Sequence, residues 1–310
     1  MDRATGALDW LGERVVLFRH GDWVFVSFGL FATVGAWLTM ALTGFLLIGQ
    51  GVAPAEFLRL ALLSCAAVVA GSWLLARFLD LRAPVVDRAA EPPRPAFVSW
   101  GGLLALMLVL VLFGALSGHG ELVVLDALAR SIPLGHAVGR LGCLSYGCCF
   151  GRPTAGRLAI TYRTPEAKAV RVGAHYGVPL HPAPLYEAIL DVVLFAAANA
   201  AAWAGAPLGA VTALVLFGYG CGRFAIEFLR DNGETPAAGR ITLNQRIALA
   251  AALVGAVLAG SALLSDPAAA PPFAWIAPLR DAPWLAAATL PGALMVFFGF
   301  SLHRGEVGRW

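Results

Sequence analysis

Tyr219, Arg223, Glu227 and Arg230 stand at intervals of four, four and three residues in the run FGYGCGRFAIEFLRDN, residues 217–232. On a helix that spacing puts all four side chains on one face. Two guanidiniums beside one carboxylate leave a surplus positive charge, and the planar guanidinium fork suits a pair of phosphate oxygens. A plain Arg-Glu-Arg tie between helices uses the same residues, but the surplus cation favours an anion site. A second group lies in HPAPLYEAILD, residues 181–191, where Pro184 sits near a helix start and Glu187 and Asp191 are four apart. It reads either as a polar helix entrance at a lipid interface or as a site with His181 as proton acceptor and Tyr186 or Glu187 as positioner. A third is LDALARSIPLGHAVGRLGC, residues 125–143, with Asp126 and Arg130 four apart, and His136 and Arg140 four apart. Gly139, Gly142, Gly147 and Gly151 let backbone N–H groups approach a ligand, which makes Arg140 a further phosphate contact. His136 alone reads as a core residue satisfied within the fold.

Three of the five cysteines, Cys143, Cys148 and Cys149, fall in the same bend. Four readings stand side by side. A buried free cysteine behaves as a small hydrophobe. A 143–148 or 143–149 bridge would staple the bend in an oxidising compartment. Three thiols with His181 or His136 would offer zinc a ligand set, although no Cys-x-x-Cys pair is present. Finally, a thiol here could carry a lipid group before passing it on. No cofactor and no metal is expected. Cys65 and Cys221 read as packing within apolar helices.

The elements that must position these residues are membrane helices. The chain has 310 residues, of which 59% are hydrophobic and 13% charged, against about 25% charged in soluble domains. Apolar runs of about 20 residues span a bilayer, and eight lie near 23–49, 55–79, 97–116, 122–142, 185–204, 207–229, 243–265 and 284–302. Pro133 should kink the fourth. The expectation is an all-α polytopic membrane protein with seven to eight transmembrane helices and a small extramembrane head segment. Its divisions are a surface tail at 1–22, membrane helices with the Gly-Arg-Cys signature at 23–151, and the head at 152–182, where LAITYR (158–163) reads as a strand. Membrane helices with the Arg/Glu stripe follow at 183–265, then a linker and extra helix at 266–310. Residues 81–95 and 265–284 read as linkers. Residues 1–22 do not resemble a signal peptide. A net charge of +3, spread along the chain, gives no nucleic-acid footprint.

The three segments together resemble the bacterial prolipoprotein diacylglyceryl transferase family, whose signature runs Gly-Arg-x-Gly-Asn-x-x-Asn-Gly-Glu-x-x-Gly-Arg-Pro-Thr. Gly139 to Thr154 correspond to it here. The family's His-Pro-x-x-Leu-Tyr-Glu matches His181, Pro182, Leu185, Tyr186 and Glu187. Its Tyr-Gly-x-x-Arg-Phe-x-x-Glu-Phe-x-Arg matches Tyr219, Gly220, Arg223, Phe224, Glu227, Phe228 and Arg230. The resemblance covers about residues 20–265 and identifies a divergent, cysteine-containing member.

The resemblance implies transfer of a diacylglyceryl group from phosphatidylglycerol to the lipobox cysteine of a preprolipoprotein, with release of glycerol phosphate. It implies Arg140, Arg223, Glu227 and His181 as catalytic residues. Substrate binding would fall to Arg140, Gly142, Gly147, Gly151, Arg152, Tyr186, Glu187, Tyr219 and Arg230, with Cys143, Cys148 and Cys149 as a possible thiol site. The protein would be multi-pass in the bacterial inner membrane, with its active site toward the periplasm. The cation-rich loops point the other way by the positive-inside rule; Arg82, Arg88, Arg94, Arg163 and Lys168 have no role in the motifs. This chain also departs from the family: Trp100 stands where a Ser-Phe-His-Gly-Gly-Leu stretch has His, Phe28 where a Tyr is found, and Cys143 and Cys148 where Asn and Glu are found. Two alternatives follow, a member that binds phospholipid without this chemistry and a thiol redox or metal-binding membrane protein.

Overall fold

A computed structural model describes residues 3–82, 99–231, 241–264 and 276–308. The order is α1 (Arg3–Gly12), β1 (Val16–His20), β2 (Trp23–Val26), α2 (Ser27–Gly49), α3 (Pro54–Arg82), α4 (Ser99–Ser117), α5 (Glu121–Tyr146), β3 (Ile160–Thr161), α6 (Lys168–Arg171), β4 (Pro179–Leu180), α7 (Ala183–Trp203), α8 (Ala210–Glu227), α9 (Leu243–Leu264), α10 (Ile276–Ser301) and β5 (Leu302–Arg304). Among the described residues, seven helices are long and apolar enough to cross a membrane, and Gly101–Ser117 is a shorter apolar helix. The chain is an all-α polytopic membrane protein. The linker expected at 81–95 lies almost wholly outside the described residues, as does the side chain of Trp100. Of the one expected at 265–284, the described part, 276–284, is instead the start of α10, which runs on through Pro283.

The first membrane helix begins at Ser27 rather than at residue 23. Trp23–Val26 is instead an alternating strand, paired antiparallel with β1 on one side and with β5 on the other, Val24 facing His303. A short run of Val and Phe fits a strand as well as a helix, and the pairing comes from almost 280 residues away. Pro133 lies inside α5, which continues through it.

The bundle is built around α5, which packs against α2, α4, α7 and α8. Close approach at the α2–α5 crossing depends on a glycine pair. A Cβ on Gly135 would lie 2.3 Å from the Gly35 carbonyl oxygen, and one on Gly35 would lie 2.2 Å from that of Gly135. One apolar core joins Leu47, Phe57, Leu60, Leu110, Val124 and Leu285 between the helices. A second lies at one end of the bundle. There Ile160, Tyr162, Ala167 and Leu180 of the 152–182 segment pack with Val15, Val24, Val26, Leu144 and Val307. The Tyr162 hydroxyl donates to the Leu144 carbonyl at 2.8 Å, tying that end to α5. Arg163 pairs with Asp9 of α1 at 3.3 Å, which supplies one of the cations outside the motifs with a structural partner.

Asp126 has a different partner from the one its spacing suggested. Its buried carboxylate leaves Arg130, which bonds Asn199 at 3.1 Å, and caps the start of α8. The backbone N–H groups of Gly209 and Thr212 donate to it at 2.8 and 2.9 Å, and the Thr212 hydroxyl at 2.5 Å. A helix start inside a bundle leaves N–H donors that water cannot reach, and a carboxylate from the neighbouring helix satisfies them. Asp126→Ala should therefore destabilise the protein by about 1–3 kcal/mol, with Asp126→Asn intermediate. Thermal unfolding in detergent reads this directly, and equal midpoints for both variants and the parent would remove the cap from the account.

Candidate functional site

The arginine face of α8 meets α5 and α7 beneath the bend at 147–151. Glu187, the fifth residue of α7, has a fully buried side chain and contacts three arginines. Its Oε2 lies 2.6 Å from Arg140 Nη2 and 3.8 Å from Arg223 Nε, and its Oε1 lies 3.1 Å from Arg230 Nη1. Arg223 Nη1 also donates to Glu227 Oε2 at 2.6 Å, and Arg230 Nε lies 3.7 Å from the same oxygen. The Thr242 hydroxyl and the Asn244 amide donate to Glu227 Oε1 at 3.2 and 3.0 Å. Five charged groups from three segments thus form one network with one more cation than carboxylate. The Nε–H of Arg140 is buried with no acceptor among the described residues. A buried guanidinium N–H without an acceptor is costly.

Beside Arg140 on α5, His136 and Cys143 complete a stripe at i−4, i and i+3, on one face of the helix. His136 Nδ1 lies 2.7 Å from the buried Asp191 Oδ2 of α7, and the His136 ring meets Tyr219 edge-on at 5.6 Å between centroids. A carboxylate bonded to one ring nitrogen fixes the orientation of the imidazole. By sequence His136 reads as a core residue satisfied within the fold; in the structure its side chain is partly exposed and Asp191 is its partner. The signal that could have found the pair was Asp191, one turn beyond Glu187 on the same helix face. Thr242 and Asn244 gave no signal, because they come from the start of α9, outside the three motifs.

The His181 Nδ1 lies 3.1 Å from the Tyr186 hydroxyl. Arg152 is exposed and donates from Nε to the Arg230 carbonyl at 3.2 Å, while its N–H donates to the Leu229 carbonyl at 2.9 Å. Gly151 donates its N–H to the His181 carbonyl at 3.0 Å, and a Cβ there would lie 2.5 Å from that oxygen, so the position accepts only glycine. Gly147 ends α5 in the left-handed region at φ 70°. Gly142 faces α2, where a Cβ would lie 2.9 Å from that of Phe31. These glycines therefore shape the bend and the helix contacts around the network. Phe28 packs edge-on against Phe300 and near Tyr146.

All three cysteines of the bend are free thiols, with their sulfur atoms within 4.8 Å of one another. Arg140 Nη1 donates to Cys143 Sγ at 3.8 Å. Hydrogen bonds from the Cys143 and Cys148 thiols, then the charges of Arg230 and Arg140, hold the Cys149 thiol well below its ordinary range. Hydrogen bonding to Cys143 and Cys149, with burial, pushes Cys148 well up. Burial opposes the charge on Arg230, but the Cys149 sulfur and Glu187 more than offset it and hold that guanidinium above its usual range. Cys65 is half-buried and Cys221 is exposed on the outer face of α8, so only the former fits a packing role.

Comparison with known proteins agrees with this geometry. The family model for prolipoprotein diacylglyceryl transferase matches residues 15–260. Among curated proteins, the phosphatidylglycerol–prolipoprotein diacylglyceryl transferase of Bordetella avium (strain 197N) is 36% identical over 161 residues, 51% of this chain and 58% of that protein. The protein of the same name from Erwinia tasmaniensis is 33% identical over 172 residues, covering 51% and 59%. That from Azoarcus sp. (strain BH72) is 36% identical over 131 residues, covering 42% and 46%. The chain thus spans less than two thirds of each of these relatives. With the family model matched across most of its length and the three motifs gathered at one buried network, the chain belongs to the prolipoprotein diacylglyceryl transferase family.

Proposed function

We propose that this chain is a phospholipid-dependent transferase that moves a diacylglyceryl group from phosphatidylglycerol to a cysteine thiol of a preprolipoprotein and releases glycerol phosphate. The observation that carries this reading is the surplus cation of the arginine network, together with the buried Arg140 Nε–H that has no acceptor among the described residues. As the thiolate sulfur attacks the glyceryl carbon, the bond from that carbon to the phosphate ester oxygen breaks. Its electron pair goes to the phosphate. Guanidiniums already fixed in a dry site stabilise that growing charge without reorganising.

In this reading Arg140 and Arg223 hold the phosphate, and Glu187 and Glu227 fix the two guanidiniums. The acceptor attacks as thiolate, so a base must take its proton. His136, held by Asp191, has the better geometry for this than His181, which with Tyr186 and the 151–152 backbone braces the bend. The membrane is the bacterial inner membrane, and the site opens toward the periplasmic face, where precursors emerge. The cations of the same end then serve lipid phosphates and ion pairs such as Arg163–Asp9.

The test uses the purified protein in detergent with phosphatidylglycerol and a lipobox peptide. Glycerol phosphate should appear only when lipid and peptide thiol are both present, and a peptide with serine in place of the cysteine should be inert. Lipid binding with no release would overturn the reading in favour of a member that binds phospholipid without this chemistry.

A further inference from the structure

Packing does not account for the three thiols of the bend. Cys149 adopts φ 57°, a left-handed conformation that is strained for a non-glycine residue and persists only where its surroundings impose it. That conformation brings its sulfur to those of Cys143 and Cys148, all within 4.8 Å. A disulfide would use only two of the three and needs a sulfur separation of about 2.05 Å. Tetrahedral zinc, with bonds of about 2.3 Å, holds its sulfurs about 3.8 Å apart, so the group closes on such an ion with small side-chain movements. Thiolate donors select soft ions such as zinc over magnesium or calcium.

We propose that Cys143, Cys148 and Cys149 form a three-thiolate site for a zinc-class divalent ion, whose fourth position receives the acceptor thiol. Three thiolates and a divalent ion carry one net negative charge. The adjacent network of Arg140, Arg223 and Arg230 against Glu187 and Glu227 carries one cation in excess, so an anionic metal site would lie beside a cationic one. Arg140 joins them, contacting both Glu187 and Cys143 Sγ. Three protein ligands with an open fourth position make a reactive zinc site, whereas four protein ligands make a closed structural one.

The role of the fourth position rests on the transferase reading. The incoming thiol binds the ion as thiolate and its proton is released to water, as metal binding by a thiol requires. A sulfur lone pair forms the bond to the glyceryl carbon while that carbon's bond to the phosphate oxygen breaks, its electron pair leaving with the phosphate. The product thioether is a weak ligand and departs. No oxidation state changes, so no oxidant or reductant is needed.

The experiment loads the whole protein in detergent with zinc under reducing conditions, desalts it and measures metal by mass spectrometry. The expected content is about one ion per chain, falling at least about tenfold in a Cys143→Ser, Cys148→Ser, Cys149→Ser variant. A parent protein that retains no zinc and has all three thiols titratable, or two joined in a disulfide, overturns the site; this result needs no variant to fold. Cobalt(II) then replaces zinc as a spectroscopic probe. The lipobox peptide, but not its serine analogue, should change the thiolate-to-cobalt absorption. An unchanged spectrum overturns the open fourth position. Failure of the two readings is separable: zinc binding with a peptide response but no glycerol phosphate release removes the transferase, while release from zinc-free protein removes the metal site.

Discussion

Replacing Glu187 by Gln should lower diacylglyceryl transfer by at least about 100-fold, the scale seen when charge stabilisation at a reacting oxygen is disturbed. Glu187 is the common partner of Arg140, Arg223 and Arg230, with a side chain that is fully buried. Glutamine keeps its shape and one acceptor oxygen but removes the charge. Three guanidiniums then crowd one another with only Glu227 between them. Breaking a buried ion network in this way costs about 3–5 kcal/mol, so the variant should also unfold at lower temperature in detergent. Added phosphatidylglycerol should restore part of that stability, because the lipid phosphate supplies the missing negative charge. A variant with parental activity and stability would show that the network is not organised by Glu187.

Arg140→Lys should lose about as much activity as Arg140→Ala, roughly 100- to 1,000-fold, although the charge is kept. Lysine offers a point charge at a different height and cannot reach Glu187, Cys143 Sγ and a phosphate oxygen together, as the fork of Arg140 is placed to do. If Arg140 acts on the leaving phosphate, the loss should fall mainly on kcat, with KM for the lipid changed little, since the interaction grows only as the bond breaks. A lysine variant close to the parent would mean that Arg140 supplies only long-range charge. A loss confined to KM would make it a lipid-binding residue without a role in the transition state.

Much of this site could be read along the chain, and the remainder could not, for physical reasons. The Tyr219–Arg223–Glu227–Arg230 face follows from helical spacing alone, and the apolar runs give the membrane helices to within a few residues. What spacing along one helix cannot give is which helix lies opposite. Asp126 pairs by sequence with Arg130, yet the uncapped N–H groups at the start of α8 take it instead. His136 is unremarkable until α7 brings Asp191 to it at 2.7 Å. The strand at Trp23–Val26 gives the same lesson, since its second partner is Leu302–Arg304. The thiols lie within seven residues of one another in the chain, but their convergence depends on left-handed turns at Gly147 and Cys149, which composition does not reveal.

If a thiol sulfur displaces the phosphate ester at the arginine network, the acceptor must gain a thioether-linked diacylglyceryl group. The most direct measurement is the intact mass of a lipobox peptide after incubation with the purified protein and phosphatidylglycerol. The expected result is a gain equal to one diacylglyceryl group on the cysteine, stable to neutral hydroxylamine as a thioether is, and absent with Arg140→Ala. No added mass, or an adduct that hydroxylamine cleaves as it does a thioester, would contradict it.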